Sequence, residues 1–264
     1  MTAVRLSSIS PFLLRWFGWY GRRFIARHFH SLRLLRSSAP PPDTEQPTVF
    51  YLNHPGWWDP MVAFHLVQMF FPRQHAYCPI DAEALRKYPF LGKLGFFPVQ
   101  RDSLRGARDF LQQANAILAQ PHHSLWLTPQ GGFTDVRQRP VRFAAGLGHL
   151  ARKHPTTLFV PVAIEYAWWH ERGAEILVAF GPGMAFSEKR GATELRQLCE
   201  AALESLQDRL AAASLRREAA AFEVLISGRT GVGGLYDVWR RLCACLRGES
   251  FDPRHLTDST SHSK

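Results

Sequence analysis

The sequence predicts an α/β fold, with a mixed, partly parallel sheet flanked by helices and an interfacial amphipathic helix at the N-terminus. Three observations lead there. Short apolar runs alternate with segments of helical periodicity from residue 48 onward, and strand–helix alternation builds partly parallel sheets. The chain has 264 residues, 46% of them hydrophobic, enough for one sizeable core. Before residue 37 the pattern changes to aromatics interleaved with arginines.

That first segment, residues 10–36, carries Phe12, Trp16, Phe17, Trp19, Tyr20 and Phe24 among Arg15, Arg22, Arg23, Arg27, Arg33 and Arg36. Its arginines interrupt any run of the ~20 apolar residues a membrane span needs. No uncharged apolar stretch is followed by a small-residue cleavage site, so no signal peptide is expected. Aromatic and aliphatic groups mixed with arginine on a helix suit the headgroup plane of a membrane. The competing expectation is a helix packed on the protein's own core. Residues 37–47 include Ala39-Pro40-Pro41-Pro42, a stiff connector. The expected division is therefore 1–45, a membrane-surface helix and linker, and 46–264, the main domain.

The elements follow in order. Thr48–Leu52 reads as a strand and 60–71 as a helix. Residues 74–79 read as a short strand, Ala82–Lys87 as a short helix stopped by Tyr88-Pro89, and 95–99 as a strand. Ser103 can cap a helix to about 119, with Leu104, Ala107, Leu111, Ala114 and Leu118 on one face. Strand 124–128, helix 143–153 and strand 157–164 come next. Residues 165–169 and Glu175–Phe180 can form a hairpin. A long helix is expected over 192–222, then a glycine-rich loop (227–234) and a last helix to about 247.

Lys and Arg outnumber Asp and Glu by 32 to 22, for a formal charge of +10, which points to an anionic partner. No nucleic-acid-binding motif accompanies the charge. Cys78, Cys199, Cys243 and Cys245 have neither C-x-x-C spacing nor disulfide density, which suits a reduced, cytosolic setting. No metal-ligand motif is present, and neither a metal nor a cofactor is expected.

Three loops leaving strands carry chemistry, at the edge where open α/β sheets bind ligands. The first, Asn53-His54-Pro55-Gly56-Trp57-Trp58-Asp59-Pro60, sets a histidine five positions before an aspartate. Asp59 is expected as an N-cap, because Pro60 follows it. A carboxylate near His54 would fix the imidazole tautomer and raise its basicity, making a general base. The second loop presents Arg101 just before the Ser103 cap, placed for an anion. The third, Pro129-Gln130-Gly131-Gly132-Phe133, has two glycines that allow close backbone approach to a ligand. Arg137, Arg139 and Arg142 follow it.

A strand then N-H-x4-D, then a hydrophobic-Pro-hydrophobic-x-Arg segment, then Pro-x-Gly, then Val160-Pro161-Val162: this ordered series resembles the PlsC-type glycerolipid (lysophospholipid) acyltransferases over about residues 50–164. The resemblance implies a mixed α/β fold and peripheral attachment at the cytoplasmic face of the cell membrane. It implies transfer of a fatty acyl group from acyl-CoA or acyl carrier protein to a lipid hydroxyl. His54 and Asp59 would be catalytic, as base and orienting residue. Arg101, Gln130, Gly131, Gly132 and Arg142 would bind substrate. Partners would be the lipid acceptor and a membrane surface bearing anionic lipids, with no nucleic acid.

The third block departs from the family's Pro-Glu-Gly-Thr-Arg at Gln130, Gly132 and Phe133. The downstream Phe-Lys-Lys-Gly becomes Phe143-Ala144-Ala145-Gly146. Losing these cations weakens a phosphate cradle. A neutral or glycosylated lipid acceptor is therefore an alternative, as is a transacylase or hydrolase using the same His–Asp pair.

Overall fold

In the computed structural model, which describes residues 6–100, 103–186 and 190–230, eight strands form one sheet. In chain order they are β1 (Ser31–Leu35), β2 (Thr48–Leu52), β3 (His75–Asp81), β4 (Phe96–Val99), β5 (His123–Leu127), β6 (Leu158–Ala167), β7 (Glu175–Phe180) and β8 (Phe222–Ser227). Their spatial order is β4-β3-β5-β2-β6-β7-β1-β8. From β4 to β6 every neighbour is parallel, so these five strands present their carboxyl ends at a single edge. β7 then runs antiparallel to β6, β1 parallel to β7, and β8 antiparallel to β1. The helices are α1 (Pro11–His28), α2 (Asp59–Phe70), α3 (Ala82–Lys87), α4 (Leu104–Leu118), α5 (Gly146–Lys153) and α6 (Ala192–Arg216). The mixed, partly parallel sheet is the predicted one.

Strand alternation divides the core into two layers. Val49 and Tyr51 of β2 join Leu125, Phe159 and the apolar faces of α4, α5 and α6. Phe50 and Leu52, one residue out of phase, join Trp126, Val162 and the inner faces of α1 and α2. The α4 cap is as expected: Gly106 N–H donates to Ser103 Oγ at 2.9 Å.

Four expectations need correction. The helix of the N-terminal segment stops at His28, because His30 N–H is bonded to Ala174 O (2.9 Å) and the chain enters the sheet as β1. Arg33 is accordingly no surface cation: it is buried, with Nε donating to Glu175 Oε2 at 3.0 Å. β1 then lies between β7 and β8 in the same sheet as the later strands. Helix α5 begins at Gly146 instead of 143, since Phe143 N–H donates to Glu200 Oε1 and Ala144 N–H to Pro129 O, both 2.8 Å. Helix α6 ends at Arg216, where Arg217 turns left-handed (φ 53°), and the chain returns as β8, an element the helical periodicity hid. The glycine-rich loop beyond residue 230 and the last helix lie outside the described residues.

α1 lies across α2. A Cβ on Gly21 would stand 2.7 Å from His65 Nε2, so glycine is needed for this approach. His65 is buried, and burial, reinforced by Arg22, lowers its pKa from 6.5 to about 4. An unfolded chain takes up this proton near pH 6.5, the folded one only near pH 4, so the unfolded state gains more protons between those values. Stability is expected to fall by about 3 kcal/mol as pH drops from 6.5 to 4. Urea unfolding of His65→Leu across that range checks this. An unchanged pH slope in the variant would refute the assignment.

Candidate active site

The site is built on the common edge of the parallel strands. Asn53, the first residue after β2, is buried and pairs its side chain with the backbone of β6: Nδ2 donates to Ile164 O and Oδ1 accepts from Ile164 N–H, both at 2.8 Å. The asparagine thus extends the β2–β6 ladder by one rung and fixes where the loop departs. His54 is then clamped through its own backbone. Its N–H donates to Gln130 Oε1 at 2.9 Å, and its carbonyl accepts from Thr134 N–H at 2.9 Å. A single distant loop, the one leaving β5, thus holds the histidine main chain at two points before its ring is considered.

The ring is oriented by Asp59. His54 Nδ1 lies 2.7 Å from Asp59 Oδ2, which makes Nδ1 the protonated nitrogen and leaves Nε2 as the basic one. Gly56 N–H donates to the same oxygen at 3.0 Å, and Tyr166 Oη–H donates to Oδ1 at 2.7 Å. The carboxylate is 1% exposed and the imidazole 15%. Three donors on a buried carboxylate hold it immobile. This corrects the capping expectation. Trp58 is the N-cap, without a side-chain cap bond, and Asp59 is the first helical residue. Its oxygens turn back to the loop and to β6 instead of to the helix N–H groups.

Two cavities share His54. One, of about 200 Å³, is bordered by Val99, Phe110, Pro129, Gly131 and Gly146. The other, of about 370 Å³, is bordered by Trp57, Pro60, Ala63, Phe96, Trp126 and Phe133. Pro79, Ile80, Asp81, Leu127 and Thr128 face both. Among the described residues these walls include no lysine or arginine. A void of about 60 Å³ beneath α1, lined by Ile9, Leu14, Phe64 and Val67, shares Pro60, Ala63, Cys78, Phe96 and Trp126 with the larger cavity. The apolar space therefore runs from His54 under α2 toward α1.

The remaining sequence-expected site residues are dispersed. Gln130 is engaged by the His54 backbone. Gly131 borders the smaller cavity with a left-handed φ of 79°, but its N–H is given to Thr128 O at 3.1 Å. Gly132 has open space where a Cβ would stand. Arg142 is exposed and directed toward α6, with Nη1 3.9 Å from Glu200 Oε2; it lines neither cavity. Arg137 and Arg139 pair with Asp135 and Asp208. Arg101 lies outside the described residues. Phe133, where the family pattern has arginine, packs on the His54 ring at 4.6 Å between centroids. Sequence reading missed Asp81 and Tyr166; nothing local marks either, and only their place at strand ends could have suggested them. Among the described residues no three His, Cys, Asp or Glu side chains converge to hold a metal ion.

A sheet of this order carrying such a pair at its carboxyl edge belongs to a known class of fold. The crystal structure of the 1-acyl-sn-glycerophosphate (LPA) acyltransferase PlsC from Thermotoga maritima matches with a TM-score of 0.51, over 76% of this chain and 80% of that one, at 15% identity. The particular assignment comes from the sequence. A family model described as Acyltransferase matches residues 27–165, more than half of the chain; the protein belongs to the acyltransferase family and is an acyltransferase enzyme. No curated protein matches it.

Proposed function

We propose that this enzyme transfers a fatty acyl group from an acyl thioester, acyl-CoA or acyl carrier protein, to a hydroxyl of a lysophospholipid or related lipid. The observation that carries the reading is the 2.7 Å His54 Nδ1–Asp59 Oδ2 bond at the junction of two largely apolar cavities. Nε2 of His54 takes the proton of the acceptor hydroxyl as that oxygen attacks the thioester carbonyl. Asp59 stabilises the imidazolium that forms. The proton then leaves with the thiolate as free thiol. The apolar space leading toward α1 suits the acyl chain, and Trp57 and Phe133 suit its mouth. With Gly131 N–H already bonded, the Gly132 N–H is the better oxyanion donor of the two.

Delivery at a membrane surface, on its cytoplasmic face, is part of the same reading. α1 buries Gly21 and Ile25 but exposes Phe12, Trp16, Trp19 and Tyr20 beside Arg15, Arg22, Arg23 and Arg27. Packing on the core and contact with a bilayer are thus compatible, each using its own face. No helix among the described residues is long and apolar enough to cross a membrane. Arg23, Arg27 and Arg229 border an open depression with Trp19 and Tyr20, a surface suited to anionic headgroups.

A second reading concerns the acceptor. The cation-free described walls and the outward Arg142 favour a glycolipid or other non-phosphate lipid over lysophosphatidic acid. Thiol release is expected to require an acceptor presented in anionic vesicles, and a monoacyl glycolipid is expected to serve at least as well as lysophosphatidic acid. Thiol release that is indifferent to acceptor would identify a hydrolase. No release with any lipid would refute acyl transfer.

A further inference from the structure

We infer that Tyr166 is a positioning residue for the transfer reaction, holding Asp59 and setting through it the basicity of His54. The inference rests on the reading of His54 as the base. Tyr166 lies near the carboxyl end of β6, on the face that also directs Val160, Val162 and Ile164 toward α1 and α2. That places its phenol directly behind the first loop. Its Oη–H is bonded to Asp59 Oδ1 at 2.7 Å, while Asp59 Oδ2 takes His54 Nδ1–H and Gly56 N–H. Phenol, carboxylate and imidazole form an unbroken buried chain ending at the cavity. Tyr166 itself lines neither cavity, so it acts only through Asp59.

The ring is held as firmly as its hydroxyl. A Cβ on Gly56 would meet Tyr166 Cε2 at 3.4 Å, so the ring lies against the loop backbone. Phe29, just beyond α1, packs on it at 5.9 Å between centroids. Phe29 and Phe24 also pack on Trp58, the residue before Asp59. Burial, and next the Asp59 carboxylate, raise the Tyr166 pKa, so the phenol remains a donor at every working pH.

The consequence is a trade-off in basicity. A phenol donating to Asp59 withdraws charge from the carboxylate and weakens its hold on an imidazolium at His54. Without that donor Asp59 binds the imidazolium more tightly. Among the described residues, other ionisable groups facing the pair are few. β3 contributes Asp81 and Cys78 to the cavity wall, and burial pushes the Cys78 thiol up to about 12. From α1, His28 packs on Phe24 with its ring tilted. From the third loop, Asp135 is paired with Arg137. None contacts the phenol by any bond that the substitution would alter.

The test is Tyr166→Phe, which keeps the ring and removes only the hydroxyl. In the full-length enzyme kcat is expected to drop about 10-fold with KM unchanged, and the acid limb of kcat/KM to move to higher pH. A purely structural role would lower the thermal midpoint without moving that limb. Tyr166→3-fluorotyrosine, nearly isosteric and a stronger donor, is expected to move the limb the other way, and guards against misfolding of the first variant. In an Asp59→Asn background Tyr166→Phe is expected to add no further loss. An unmoved acid limb in both single variants, or multiplicative losses in the double variant, would overturn the inference. If His54→Ala is inactive while these outcomes occur, only the role of Tyr166 falls; if His54→Ala is active, the reading beneath it falls.

Discussion

His54→Ala is expected to abolish acyl transfer, with a loss of at least about 10³-fold, near the upper part of the range for a positioned base. The fold should survive. The histidine's backbone bonds to Gln130 and Thr134 do not involve its side chain, and the ring packs chiefly on Phe133, itself 61% exposed. Asp59 keeps Gly56 N–H and Tyr166 Oη–H, so no bare carboxylate is left buried. Thiol-release kinetics and a far-ultraviolet dichroism melt, run side by side, separate the two effects. Activity within a few-fold of wild type in a folded variant would remove His54 from the mechanism.

Asp59→Asn should come next in size, with a loss on the order of 10³-fold or more, by analogy with the loss seen when a triad aspartate becomes asparagine. Oδ2 faces two donors, His54 Nδ1–H and Gly56 N–H. An amide nitrogen placed there opposes both. Turned the other way, it faces Tyr166 Oη, whose hydroxyl must reverse, and the carbonyl left toward His54 carries no charge to stabilise imidazolium. Either arrangement biases the ring toward the wrong tautomer or leaves its charged form unsupported. The variant's shortfall should persist at alkaline pH, where protonation of a free imidazole is no longer the obstacle. Full recovery of rate at high pH would mean that Asp59 only tunes titration and does not orient the ring.

The legible part of this protein was local. Alternating apolar runs located β2, β5 and β7 within a residue or two, and Ser103 marked the start of α4. The five-residue spacing of His54 and Asp59 brought them into one loop, and a hydrogen bond across so short a segment depends on little besides the turn between them. The failures were equally local in cause. The run of leucines at β1 reads as more helix after an aromatic, arginine-rich helix, because periodicity in five residues cannot separate the two. The alanines and arginines before β8 disguised the end of α6, since the left-handed turn at Arg217 has no glycine to announce it.

What the sequence by itself determined is the α/β class, the family and the pairing of His54 with Asp59, because each depends on spacing within one loop or on period along one element. The tertiary structure alone decided what surrounds that pair. Parallel pairing across β4-β3-β5-β2-β6 brings Asp81, Pro129 and Tyr166 from strands far apart in the chain to the rim of a single loop, and register is not written in any one segment. It also decided that Gln130 serves the His54 backbone, that Arg142 faces α6, and that Asp59 turns away from its helix. Each of those follows from which buried donor or acceptor lay within 3 to 4 Å, and only folding brings such groups together.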